Sequence, residues 1–234
     1  MLQLGIAVAC FVVIHLFVSG TRLRDTLVAA LGEGRFLGLF SLASLGTIVW
    51  ISLAYGPAFN SASNHSYWFP APWQKWLAAA LILIAFELIV VGVTTKNPTA
   101  VQQDKLLEQG DPVRGILRIT RHPFLWGTAL WAAAHLSVNG DRASILLFSG
   151  VLLVALAGTV SIDRKRARKL GASWTDFATR TSNLPFAAIL SGRNHLALAE
   201  IGVGKPVFAL LVYLGVLALH PIVIHAVPLP WWPG

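Results

Sequence analysis

The sequence predicts an all-α, polytopic membrane protein of about six transmembrane helices, with both termini on the outer side. Three observations carry that prediction: scarce charge, apolar runs of membrane-crossing length, and a one-sided placement of Lys and Arg. Of 234 residues, 56% are hydrophobic and only 12% charged. Soluble domains carry about 25% charged residues. A span needs about 20 mostly apolar residues to cross about 30 Å of hydrocarbon. Runs of that kind lie near residues 2–19, 36–55, 74–93, 123–138, 143–162 and 207–227.

Each run has its own justification. The first resembles a secretory signal in length but lacks a basic start, and Arg22 and Arg24 follow it instead. That pattern predicts an uncleaved first span with its N-terminus outside. The fourth run is short and opens at Arg121-His122-Pro123. Proline suits a first helical position because its missing N–H would have no partner there. Asn139-Gly140-Asp141-Arg142 is a turn-forming stretch, so the fourth and fifth spans form a tight antiparallel hairpin.

Orientation follows from the basic residues. The first, third and fifth loops hold 16 of the 18 Lys and Arg, while Lys75 and Arg142 are alone in the second and fourth. Basic loops stay cytoplasmic. Trp68, Trp73, Trp231 and Trp232 then fall at the outer interface, where aromatic belts form. The net charge of +8 and pI of about 10.3 are explained by this orientation. No basic-aromatic nucleic-acid module is readable, so lipid is the partner and nucleic acid is not. The single cysteine, Cys10, excludes an intrachain disulfide and a cysteine-based metal centre.

The chain is organised as one domain over residues 1–234, with a long cytoplasmic basic loop at about 163–206. Residues 163–169 are dense in charge and continue the fifth helix into water. Trp174 and Phe177 share a helix face, which predicts a short amphipathic helix on the inner membrane surface.

Polar residues inside spans are costly, so each is a candidate for function. His15, Glu87 and His122 all fall in the inner half of the bundle and are expected to line one cavity. His135 lies thirteen residues beyond His122, about 20 Å further along the helix axis. His220 and His225 also belong to the outer half, and His65 to the second loop. Paired histidines on facing helices can hold haem b, bind another metal ion or shuttle protons. Each could equally hydrogen-bond a neighbouring helix. Because an unpaired charge at that depth is expensive, Glu87 is expected either to be protonated or to pair with Arg22, Arg24, Arg121 or a protonated histidine, an arginine partner being favoured. Arg121 could grip a propionate or phosphate through two parallel N–H groups.

The run Arg121-His122-Pro123-Phe124-Leu125-Trp126-Gly127, then Trp131, Ala134-His135-Leu136 and Asn139-Gly140-Asp141, resembles the signature of the NnrU family. His15, Ser19-Gly20, Arg22 and Arg24 resemble that family's N-terminal part, and the resemblance covers most of the chain. It implies a multi-pass protein of a bacterial inner membrane, linked to denitrification through nitrite and nitric oxide reduction. The family includes the zeta-carotene isomerase of plants and cyanobacteria, a haem b membrane protein that converts a cis double bond to trans. By that resemblance the haem ligands fall on His15 and His122, and the substrate is lipophilic or a small molecule.

A wider pattern is similar to isoprenylcysteine and phospholipid methyltransferases: Arg-His-Pro, a tight hairpin, then Asp163, Leu170-Gly171, Trp174, Phe177, Arg180 and Pro185. It implies S-adenosylmethionine binding around Arg121, His122, Asp163 and Arg180. Those enzymes carry a Glu pair where this chain has Asp163-Arg164, and a shared fold does not settle function. A third reading is a non-catalytic membrane accessory or transport protein.

Overall fold

The computed structural model describes residues 1–230, and every described regular element is a helix or turn apart from one isolated bridge. Trp231 and Trp232, expected at the outer interface, lie outside the described residues.

Helix α1 (Leu2–Val13) runs directly into a five-residue π-helical segment, Ile14–Val18, closed by the Ser19 amide donating to the Ile14 carbonyl at 3.0 Å. Helix α2 (Leu23–Leu31) then turns away by 80°. This helix lies within residues 20–35, a stretch whose charge predicts a loop. Helices α3 (Glu33–Phe59) and α4 (Pro72–Val93) are long apolar spans. The short α5 (Ile116–Ile119) precedes α6 (Pro123–Val138), which has His122 at its N-cap and Pro123 at its first position, as expected. Helix α7 (Arg142–Leu170) opens with Asp141 accepting from the Ser144 amide at 3.0 Å. Then follow α8 (Ala172–Arg180), α9 (Ala187–Leu190) and α10 (Gly204–Val223).

Among the described residues four helices are long and apolar enough to cross a membrane, and the bent α1–α2 pair makes a fifth. The sixth expected span is α6, whose 16 residues rise only about 24 Å. It is sheltered between α4 and α7. At Gly127 a Cβ would stand 2.7 Å from the Ala85 carbonyl, and at Gly92 one would stand 3.0 Å from the Phe124 amide. Small residues let membrane helices approach backbone to backbone. The last span starts and ends earlier than expected: α10 stops at Val223, and Val227 is not helical. Pro221 has already removed one amide donor, and Pro228 and Pro230 follow.

The outward faces are large and apolar, for example Leu42 and Leu53 at 68% and 72% exposure, consistent with lipid contact.

The two ends of the bundle are tied separately. At one end the second and fourth loops join: the Tyr67 amide donates to Gly140, Arg142 to His65, and the Trp68 indole to Ser137. Gly140 is required there, because a Cβ would stand 2.2 Å from the Trp68 carbonyl. At the other end the basic first, third and fifth loops join through Lys165–Ser19, Arg121–Asp163 and Arg118–Glu200. The alternation of loops read from Lys and Arg is therefore reproduced.

One expectation needs correction. Helix α8 is amphipathic, but its apolar face does not lie on lipid. Trp174 and Phe177, 4% and 0% exposed, pack against Val113, Leu107 and Leu170. The third loop supplies that apolar cover, which a reading of α8 alone could not foresee.

Candidate functional site

At the basic end stand two distinct histidine environments. The first is built on α6 and α7. His122, 2% exposed, donates from Nε2 to Asp163 Oδ1 at 2.7 Å. Arg121 grips the same carboxylate from Nε at 2.9 Å and Nη2 at 2.6 Å, and Asn183 donates to Oδ2 at 3.1 Å. The Arg121 guanidinium also lies over the Trp174 ring, 5.8 Å from its centroid. The backbone around it is equally occupied. Thr120 donates to the Asn183 carbonyl, Asn97 and Thr99 donate to the Arg121 carbonyl, and the Trp126 indole reaches Asn183 Oδ1. Every oxygen of Asp163 is saturated by charged or polar donors, so this cluster is a closed clamp joining the third loop to α7 and the segment after α8.

The second environment is a cavity of about 600 Å³ bounded by the π-helical turn, α2, α3, α7 and the start of α6. Drug-sized and cofactor sites usually occupy about 300–1,000 Å³. His15 stands in its wall, together with Leu16, Phe36, Phe40, Leu125 and Val154. His15 donates from Nδ1 to the Phe11 carbonyl at 2.8 Å, so its lone pair is on Nε2. The nearest polar group to Nε2 is the Ser44 hydroxyl, at 3.4 Å. The rings of Phe11 and Phe40 flank the imidazole, with centroids 4.3 and 5.3 Å away. π-helical turns are rare and recur at functional sites. This one places the only histidine of the first span.

The mouth of the cavity is charged. Arg24 pairs with Glu33 at 3.2 Å, and Arg166 and Lys169 both pair with Asp104. The Lys169 ammonium beside Asp104 holds that carboxyl below its usual range. Helix α7 contributes Val154, Gly158, Ser161, Ile162, Lys165, Arg166 and Lys169 to this wall, a stripe at helical spacing.

The four residues singled out from sequence thus separate. His15 lines the cavity, whereas His122 and Arg121 belong to the clamp and Glu87 to neither. The single cavity expected to hold His15, Glu87 and His122 together is not formed. Helix α4, which carries Glu87, packs on α6 and α10 rather than on α1. Among the described residues Glu87 makes no ion pair or hydrogen bond, so its expected arginine partner is absent. Arg121, expected to be free for a propionate or phosphate, is spent on Asp163. His135 donates to the Trp131 carbonyl and stacks with Phe148, well away from the basic end. His220 bonds the Ala226 carbonyl. The sequence reading gave no role to Asn183, Ser44 or Lys165. The α7 stripe was the available signal for Lys165.

These features define a class: a polytopic helical membrane protein with a cavity between its helices, apolar along part of its wall and basic at its open rim. The sequence pattern of one family, described as NnrU protein, matches residues 3–228, and the chain belongs to that family. The chloroplastic 15-cis-zeta-carotene isomerases of Zea mays and Arabidopsis thaliana are 37% and 38% identical to it over 82 residues. That stretch is 35% of this chain and 22% of each isomerase, so the likeness spans less than a quarter of the curated relatives. No solved structure matches the chain.

Proposed function

We propose that this chain is a membrane-embedded cis–trans isomerase of a lipophilic conjugated substrate, dependent on haem b held through His15. One observation carries the reading: a π-helical turn places the His15 imidazole in the wall of a cavity of about 600 Å³, with its Nε2 met only by the Ser44 hydroxyl at 3.4 Å. Metal-bound histidines usually donate their second N–H to a carbonyl or carboxylate, and Phe11 supplies that acceptor. The rings of Phe36 and Phe40 and the side chains of Leu125 and Val154 form an apolar part of the wall that suits a flat or extended apolar body. Bound haem would supply an iron centre for one-electron chemistry on a conjugated system. The names of the two plant relatives favour isomerisation. A nitrogen oxide, the substrate class of the denitrification reading, would fill only a small part of this cavity.

His122 is the second ligand that the family resemblance implies. With its Nε2 proton given to Asp163, only Nδ1 retains a lone pair. Ligation through Nε2 would require release from Asp163. The methyltransferase reading draws on the same clamp, but Arg121, His122 and Asp163 are saturated by one another and by Asn183. The cavity therefore supports the haem reading better.

The test is an absorption spectrum of the purified chain expressed with ample haem, together with chromatography of a cis-polyene incubated with it in vesicles. Wild-type protein is expected to show a haem band and to shift the polyene toward trans. His15→Ala is expected to lose both. A wild-type protein without haem overturns the cofactor assignment.

A further inference from the structure

The rim of the cavity is not evenly paired. Four of its five cations have carboxylate partners: Arg24 with Glu33, Arg166 and Lys169 with Asp104, and Arg168 with Asp25. Lys165 is the fifth, and among the described residues it makes no ion pair. It is half-buried, and its Nζ donates to the backbone carbonyl of Ser19 at 2.8 Å, just past the π-helical turn. That acceptor is neutral. A partly buried ammonium with no carboxylate in direct contact carries a desolvation cost that a ligand anion would offset. The lining as a whole holds five cations against Asp25, Glu33 and Asp104. Yet a hydrocarbon polyene has no charge for this rim to meet.

We infer that Lys165 anchors the acidic head of an amphiphilic ligand whose apolar body lies in the cavity toward His15. The inference rests on the reading of this cavity as the ligand site, and it names the chemistry of what enters there. A haem propionate and the carboxylate of a long-chain acid share that chemistry. Helix α7 sets the geometry. Lys165 lies on the same stripe as Gly158 and Val154, about two and three turns away along the wall, so head and body are read by one helix. Arg121, the cation that sequence alone offered for this task, is committed to Asp163.

The experiment uses the full chain in phosphatidylcholine vesicles, with protein-free vesicles as the blank. Two matched pairs of probes are titrated: haem b against its dimethyl ester, read by absorbance, and radiolabelled palmitate against hexadecanol. At least one acid is expected to bind about tenfold or more tightly than its neutral counterpart, the usual worth of a hydrogen bond to a charged group. Lys165→Gln, which keeps a donor for the Ser19 carbonyl, is expected to erase that gap. Lys165→Arg and the distant Lys205→Gln are expected to preserve it. A gap in the haem pair identifies the head as a propionate, and a gap in the palmitate pair identifies it as an aliphatic acid. Acids and neutral counterparts binding alike to wild type, or a gap that survives Lys165→Gln, overturns the anchor and leaves the cavity reading standing. Failure of every probe to bind overturns both.

Discussion

His15 and His122 are the same residue type, at similar depth, in adjoining parts of one bundle, and their surroundings are opposite. His122 is sealed, with its proton held by a carboxylate that Arg121 and Asn183 also hold. His15 lines a cavity, its Nε2 met only by the Ser44 hydroxyl at 3.4 Å. The contrast separates two uses of an intramembrane imidazole. One is consumed in holding loops together, and the other is held so that something else can use it. A carboxylate within reach decides which.

Four measurements would break or sharpen this contrast. The largest effect is expected from Asp163→Ala, which strips the shared acceptor from a buried arginine and histidine. The loss should be about 3–5 kcal/mol, seen as a much lower thermal midpoint in detergent. A midpoint near wild type would mean the clamp is decorative. Next, His122→Ala should cost about 2–4 kcal/mol by leaving Asp163 and its cavity incompletely filled. His15→Ala should cost under about 1 kcal/mol, since only weak neutral contacts go, and on the proposed haem reading it should abolish the haem band. Haem lost from His122→Ala with stability unchanged would exchange the two roles. Third, Gly127→Val should lower stability by about 1–3 kcal/mol, because its first added carbon meets the Ala85 carbonyl at 2.7 Å. That would confirm that the seam carrying His122 is rigid. Haem affinity at His15 should be unaffected.

The smallest effect concerns pH. Arg118 and the Gly115 amide lower the Glu200 carboxyl to about 2 from its ordinary 4.5. The contact supports the segment leading into Arg121. A depressed carboxyl stabilises the fold fully above about pH 4.5, and that contribution fades as pH falls toward 2. For so exposed a pair the loss should be at most about 1 kcal/mol. Wild-type thermal midpoints should fall across that window more than those of Glu200→Gln. Parallel slopes would remove Glu200 from the scaffold.

Much of the architecture was legible because lipid forces it. Apolar runs must be helices, since hydrocarbon offers no partner for backbone groups. The Lys and Arg partition sorted the loops correctly into two groups, now seen tied at opposite ends. What escaped depended on contacts between distant segments. Helix α2 carries Arg24 and Asp25 and so read as loop, yet it forms one wall of the cavity. Helix α8 read as a surface helix because Leu107 and Val113 lie more than sixty residues upstream. The meeting of His15 and His122 was inferred from depth alone. Depth fixes the level along the axis but not the neighbours around it. Glu87 shows the same limit: its level was right for an arginine, but its helix is on the other side of α6.

The joining of residues 64–68 to residues 137–143 has a consequence for how the chain is made. Residues 64–68 can lock only onto residues 137–143, which leave the ribosome some seventy residues later. Until that hairpin has crossed the membrane, the Tyr67 amide and the Asn64 side-chain oxygen must make do with water. Final closure of this protein is therefore an event that follows insertion rather than accompanies it. A chain halted before α7 would sit in the bilayer with that end still unfastened.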